Sequence, residues 1–249
     1  MASSQTVAVP SALEDPLAHL PCSRIAEHRK GQFIYRQDQP STSIYLVIAG
    51  RVKVARLASD GRQTVVDVYQ TDDFFGESAL LGLPRMPEQA TALENTRLMA
   101  WTVVDIGNIA QTRPRLAIAL LQIVVQRSLE YGHRIESFSM DNIGRRLART
   151  LIRFSLRLGA AEPDGSCRMG PFTHELLAQY VGTTREIVTH YMNVFGGQGY
   201  LQYSRKGIYV YREVFDQWLC QTGTHAVKAR QAQREAGGQS IEIAAVNRA

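Results

Sequence analysis

His174–Leu201, HELLAQYVGTTREIVTHYMNVFGGQGYL, is the stretch on which the reading of this chain turns. Leu176, Leu177 and Val181 form an apolar stripe at helical spacing, and Gly182 interrupts it. Thr183 or Thr184 then offers a side-chain oxygen to cap a second helix. In that helix Ile187, Val188, Tyr191, Met192 and Phe195 recur at steps of three and four. Small Ala178 sits where two such helices cross, and Val188 and Tyr191 point back inward. The pattern predicts a helix-turn-helix, whose second helix lies in the DNA major groove.

The same helix carries chemistry suited to base edges. Arg185, Glu186, Thr189 and His190 lie near its start, on adjoining faces away from the apolar stripe. An arginine fork matches the two acceptors of guanine, and a glutamate accepts from the cytosine amino group. Gly196, Gly197 and Gly199 end the helix, and YLQYSRKGIYVY (Tyr200–Tyr211) predicts a wing hairpin turning at Lys206-Gly207. Thr173, Thr184, Ser204, Arg205 and Lys206 are candidate phosphate contacts, which orient a protein on DNA without reading its sequence. The plainer alternative is an amphipathic helical hairpin whose charged face is merely wet.

Charge supports the DNA reading. The chain carries 28 Lys+Arg and 23 Asp+Glu in 249 residues, and residues 1–140 hold 14 of each. The whole excess of +5 therefore lies from residue 141 onward, in the half that holds the helix-turn-helix. That length suffices for two domains. No apolar run is long enough to span a membrane, and no secretion signal opens the chain, so a cytoplasmic protein is expected. Cys22, Cys167 and Cys220 are isolated and lack metal-ligand spacing.

Residues 1–16 read as a disordered leader, and residues 17–113 as a sensor domain. Within it short strands alternate with glycine and Asp-Gly turns, including Ile44–Ile48, Arg51–Val54 and the turn at Asp60-Gly61. Many short strands at this spacing predict an antiparallel roll, making the chain α+β. Val104–Gln111 suggests a short helix. Pro114 introduces a long helix over 114–140, apolar nearly all round at Leu116–Val125 and continued by Tyr131, Ile135 and Phe138. A helix buried within one chain is the plainer reading. Dimerisation is preferred, because helix-turn-helix proteins bind paired half-sites.

Residues 141–221 form the expected winged helix-turn-helix domain. Asp141 is expected to cap a helix over 142–158 that bears Arg145, Arg146, Arg149, Arg153 and Arg157, mostly as solvated charges. Gly159–Gly170 reads as a polar loop. Phe215, Trp218 and Leu219 suggest a last packed helix, and 222–249 a flexible tail.

A β-roll, a long helix and a C-terminal winged helix-turn-helix, in this order, resemble the CRP/FNR transcription regulators. The resemblance rests on Gly31 and Gly50, on FFGESALL (Phe74–Leu81), on Asp141-Asn142-Ile143-Gly144-Arg145 and on GTTREIVTHYM (Gly182–Met192). It implies a cupin-like roll of the cyclic-nucleotide-binding type. It also implies a homodimer on a near-palindromic promoter site, with half-sites roughly 34–36 Å apart. Arg185, Glu186 and His190 match base-contacting positions, with histidine where members commonly have arginine.

The resemblance also implies an effector pocket at Gly76, Glu77, Gln89, Ala90, Glu130 and Tyr131. Members that bind cyclic nucleotides use Gly-Glu for the ribose and Arg-Ser or Arg-Thr for the phosphate. Gly76-Glu77 fits the first pair, but Glu88-Gln89-Ala90-Thr91 stands at the second, so cyclic AMP is disfavoured. Arg85 is weighed as a substitute and disfavoured too. Neither an iron–sulfur nor a haem signature is present, and His28 and His133 read as ordinary surface or packed histidines, so no cofactor is evident.

The leading expectation is a DNA-binding transcription regulator with double-stranded DNA, its own copy and RNA polymerase as partners. Its effector, and the choice between activation and repression, stay open. The alternative is a cyclic-nucleotide-binding module whose winged helix mediates protein contacts. No nucleophile–base pair or phosphate loop favours an enzyme.

Overall fold

In residues 25–102 the apolar positions alternate over runs of three to seven residues, which gives strands with one covered face. The computed structural model describes residues 13–221, and the chain divides after Met140 into two units.

In the first unit, β1 (Ile25–His28), β8 (Thr96–Thr102), β3 (Ser43–Ala49) and β6 (Phe74–Phe75) make one antiparallel sheet in that order. β2 (Phe33–Tyr35), β7 (Gln89–Ala92), β4 (Val52–Leu57) and β5 (Gln63–Tyr69) make the other. This is the expected roll. Val47, Val52, Val54, Phe75 and Ala90 fill one core cluster, and Ile44, Leu46, Trp101, Ile106 and Leu116 fill a second beneath the helices.

Helix α1 (Val103–Thr112) opens with a capping box between Thr102 and Asp105. Helix α2 (Arg115–Met140) follows Pro114, whose missing N–H costs least at a helix start. Only Leu116 and Ala119 of α2 are buried, while Ile118, Leu121, Val125 and Leu129 form an exposed apolar stripe at steps of three and four. The expected outward stripe thus exists, but Tyr131 is not part of it. Its ring turns to the roll, where its hydroxyl is hydrogen-bonded to Tyr69.

The second unit holds α3 (Ile143–Leu158), α4 (His174–Val181) and α5 (Arg185–Gly197) beside a four-stranded sheet in the order β11 (Leu201–Ser204), β12 (Gly207–Val210), β10 (Cys167–Met169), β9 (Gly159–Ala161). Two expectations are corrected here. Asn142, not Asp141, caps α3, its Oδ1 accepting from Arg145 N–H at 3.0 Å. The Asp141 carboxylate instead takes Arg145 and Arg149, each at 2.8 Å. The expected loop at 159–170 is a hairpin, β9 (Gly159–Ala161) with β10 (Cys167–Met169). Cys167 and Met169 point into the core and Arg168 outward, an alternation too short to be recognised in the sequence. Residues 212–221 are helical as expected, with Phe215 buried. The expectations for residues 1–12 and 222–249 lie outside the described residues.

Candidate nucleic-acid interface and sensor pocket

Local chemistry sets the turn between α4 and α5. Thr173 Oγ1 accepts from Leu176 N–H at 3.1 Å and starts α4. Gly182 ends it in the left-handed region (φ +75°), where a side chain would be strained, and both Gly182 N–H and Thr183 N–H reach the Ala178 carbonyl. Of the two threonines on offer, Thr184 caps α5, accepting from Ile187 N–H at 3.5 Å. Val188, Met192 and Phe195 are buried, while Arg185, Glu186 and His190 are exposed. Gly144 on α3 makes room for the Tyr191 ring, since a Cβ there would stand 2.6 Å from Tyr191 Cε1.

The four expected base readers are not equivalent. Arg185 and His190 are both exposed, and the His190 ring meets that of Tyr191 edge-on at 5.3 Å. The Glu186 carboxyl is held below the usual carboxylate range, first by its own backbone N–H and then by the Thr184 hydroxyl, so it starts folded onto the helix terminus. Thr189 is half-buried, and its hydroxyl is committed: it donates to the Arg185 carbonyl and meets His174 Nδ1, both at 2.8 Å.

β11 (Leu201–Ser204) and β12 (Gly207–Val210) form the wing, turning at Arg205-Lys206, one residue earlier than expected. Both turn side chains are exposed, and Ser204 Oγ accepts from Lys206 N–H at 3.1 Å. Tyr203 ties the wing to α5 by donating to Asn193 Oδ1 at 2.7 Å, and its ring centroid lies 5.5 Å from that of His174. The roles of His174 and Tyr203 are invisible in the sequence because neither periodicity nor spacing brings residues from three elements together. Arg145, expected among the solvated helix charges, is a brace between Asp141 and the Leu219 carbonyl, with 12% of its side chain exposed.

The candidate effector site in the roll is organised differently. Gly76 takes φ +84°, and a Cβ there would stand 3.0 Å from the Tyr45 ring and 3.2 Å from the Ser43 carbonyl. This turn presents Glu77, and Glu77 is already engaged by Arg127 of α2, with Nη1 to Oε1 at 2.6 Å. The Arg127 guanidinium also donates to the Phe74 carbonyl and lies 4.6 Å over the Tyr69 ring. Arg134 donates to the Val66 and Val65 carbonyls, both at 2.8 Å. Arg127, Tyr131 and Arg134, at i, i+4 and i+7, thus form a polar seam on the roll-facing side of α2.

Ala90 is buried, Gln89 and Glu130 are half-buried, and Arg85 is exposed. The arginine that meets Glu77 is therefore Arg127. A charged residue just past the apolar stretch Leu116–Val125 is its only trace in the sequence. Glu88 is buried and accepts from Ser78 Oγ at 3.1 Å. Burial, and then the charge of Glu77, push its carboxyl above the usual range. Tyr35, Tyr45, Phe75 and Tyr69 stack beside these groups at centroid spacings of 5.1–6.3 Å. Among the described residues no cluster of three or more His, Cys, Asp or Glu has metal-holding geometry, and no helix is long and apolar enough to cross a membrane.

A roll of this type and a winged helix-turn-helix in one chain define a class of two-domain, DNA-binding transcription regulators. Known proteins agree. The cyclic nucleotide-binding domain family matches residues 26–113, and the Crp-like helix-turn-helix domain family matches residues 145–213. A CRP-like cAMP-activated global transcriptional regulator of Mycobacterium tuberculosis is 23% identical over 73% of this chain and 81% of its own. The global nitrogen regulator of Synechococcus elongatus is 25% identical over 77% and 87%. FixK2 from Bradyrhizobium japonicum has the same fold, with a TM-score of 0.70 at 22% identity over 79% of this chain and 97% of its own. The chain belongs to the CRP/FNR family of transcription regulators.

Proposed function

We propose that this regulator is a homodimer that binds a near-palindromic promoter site through α5, and that it does so without a cyclic nucleotide. The exposed Arg185 and His190, on a helix anchored by the buried Val188, Met192 and Phe195, carry this reading. Arg185 reads guanine, His190 and Glu186 supply single hydrogen bonds, and Thr189 contacts a methyl group. Thr173, Thr184, Ser204, Arg205 and Lys206 hold phosphates. The dimer forms along the apolar stripe of α2, where Leu121 and Leu129 are 61% and 65% exposed.

Independence from cyclic nucleotides is supported by the pocket. Glu77 is occupied by Arg127, and Glu88 puts a second carboxyl where a phosphate needs a cation. The regulator is not an enzyme and acts in the cytoplasm, and activation would add a contact to RNA polymerase.

Selection of bound duplexes from a random pool, with and without cyclic AMP, tests the reading. A two-fold-symmetric site recovered equally in both conditions is the expected result. A site recovered only with cyclic AMP would refute the nucleotide independence. Sedimentation of Leu121→Glu/Leu129→Glu should show monomer; an intact dimer would move the interface elsewhere.

A further inference from the structure

His174 opens α4, yet its ring is held by the other two elements of the recognition unit. Nδ1 lies 2.8 Å from Thr189 Oγ1 on α5, and the ring packs against Tyr203 on β11. The direction of the hydrogen bond follows by elimination. Thr189 has one hydroxyl proton, and it goes to the Arg185 carbonyl. Its oxygen therefore accepts from His174, so Nδ1 carries the proton and Nε2 is left as the open nitrogen.

The charged and titratable groups around the ring are few. Arg185 faces it from α5, and Glu186 on the same helix is turned to its own backbone N–H and Thr184. The Tyr203 phenol on β11 donates to Asn193, and the neighbouring Glu175 accepts from Gln179 at 2.9 Å. Burial, and then the charge of Arg185, hold the His174 imidazole below its ordinary value, so the free protein carries it neutral at neutral pH.

We propose that His174 is a positioning residue for the base-reading face and the point at which DNA binding takes up a proton. Its Nδ1–H fixes Thr189, and its Nε2, protonated from solvent as DNA docks, donates to a backbone phosphate. The proposal rests on the DNA-binding reading above. Phosphates reverse the local field and raise the imidazole pKa in the complex above that of the free protein. Affinity must then rise as pH falls through the interval between the two values. The slope is up to about one log unit of association constant per pH unit for each protomer.

Fluorescence anisotropy on the selected duplex, from pH 5.5 to 8.5 at fixed ionic strength, reads this directly. Wild type should bind more tightly toward acid. His174→Asn keeps a donor in the Nδ1 position but has no titrating nitrogen. It should bind more weakly than wild type, yet more tightly than His174→Ala at pH 8, and lose the slope. His174→Ala should bind about fivefold more weakly even at pH 8, the worth of one hydrogen bond. His190→Asn should keep the slope.

A flat wild-type profile, a slope retained in His174→Asn, or a slope lost in His190→Asn instead would each overturn the proposal. NMR titration of the His174 ring should show a higher midpoint in the complex, and an unchanged midpoint would likewise refute it. A chain that binds no duplex at any pH would sink the DNA-binding reading itself, a failure distinct from a flat pH profile with DNA bound.

Discussion

The two units treat charge in opposite ways. In the roll, Glu77 and Glu88 point inward, and the strongest cation near them, Arg127, comes from the same chain. In the recognition unit Arg185, His190, Arg205 and Lys206 point outward, with solvent as their main company. A charge whose partner is built in gains little from a ligand, whereas exposed cations gain much from a polyanion. The difference separates an interior closed by its own side chains from a surface made to be covered.

The largest test of that comparison is Arg127→Met, which keeps much of the volume and removes the cation. Glu77 is 28% exposed, so it would be left largely buried beside Glu88 without a partner. Chemical denaturation of the roll should lose about 3 kcal/mol. Adding Glu77→Gln should restore part of that loss. A double variant no better than the single one would show that the ion pair is not the source.

Next in size is Arg185→Ala. It should cost about 1–3 kcal/mol on the selected site and relax preference at one base pair. Equal weakening on random duplexes would make Arg185 a phosphate contact and blur the distinction between its role and that of the wing.

Glu88→Gln should act more weakly, and the size of its effect depends on pH. A carboxyl with a raised folded pKa keeps its proton where the unfolded chain, titrating near pH 4.3, has lost it. Stability therefore falls as pH rises from that value through the raised one. The glutamine variant should be more stable by about 1 kcal/mol at pH 7.5 and unchanged near pH 4. Destabilisation at both pH values would mean that Arg56, 3.9 Å away, pairs productively with the carboxylate.

The smallest effect belongs to Lys206→Ala on the wing. Binding should weaken similarly on all sequences, and the slope of log affinity against log salt should flatten by about 1 for each phosphate that is no longer neutralised. A changed base preference would place Lys206 in a groove and not on a phosphate.

Much of the fold is legible in the sequence because its signals are local. The helix-turn-helix stands out through the stripe Leu176-Leu177-Val181, the Gly182 break and a threonine cap, each acting within one or two turns. The roll emerges from short strands and their turns. The hairpin β9–β10 does not, because three-residue strands carry too few positions to show a period. Asp141 has the position and chemistry of a cap, yet the arginines on the helix claim its carboxylate and Asn142 caps in its place.

Sequence alone determined which faces are apolar and where the helices of the helix-turn-helix start and stop. These follow from periodicity and from hydrogen bonds closed over a few residues. Tertiary structure alone decided the partners: Arg127 for Glu77, His174 for Thr189, and Tyr69 for Tyr131. A buried charge or hydroxyl announces that it needs a partner, but packing chooses which one from residues 15 to 62 positions away.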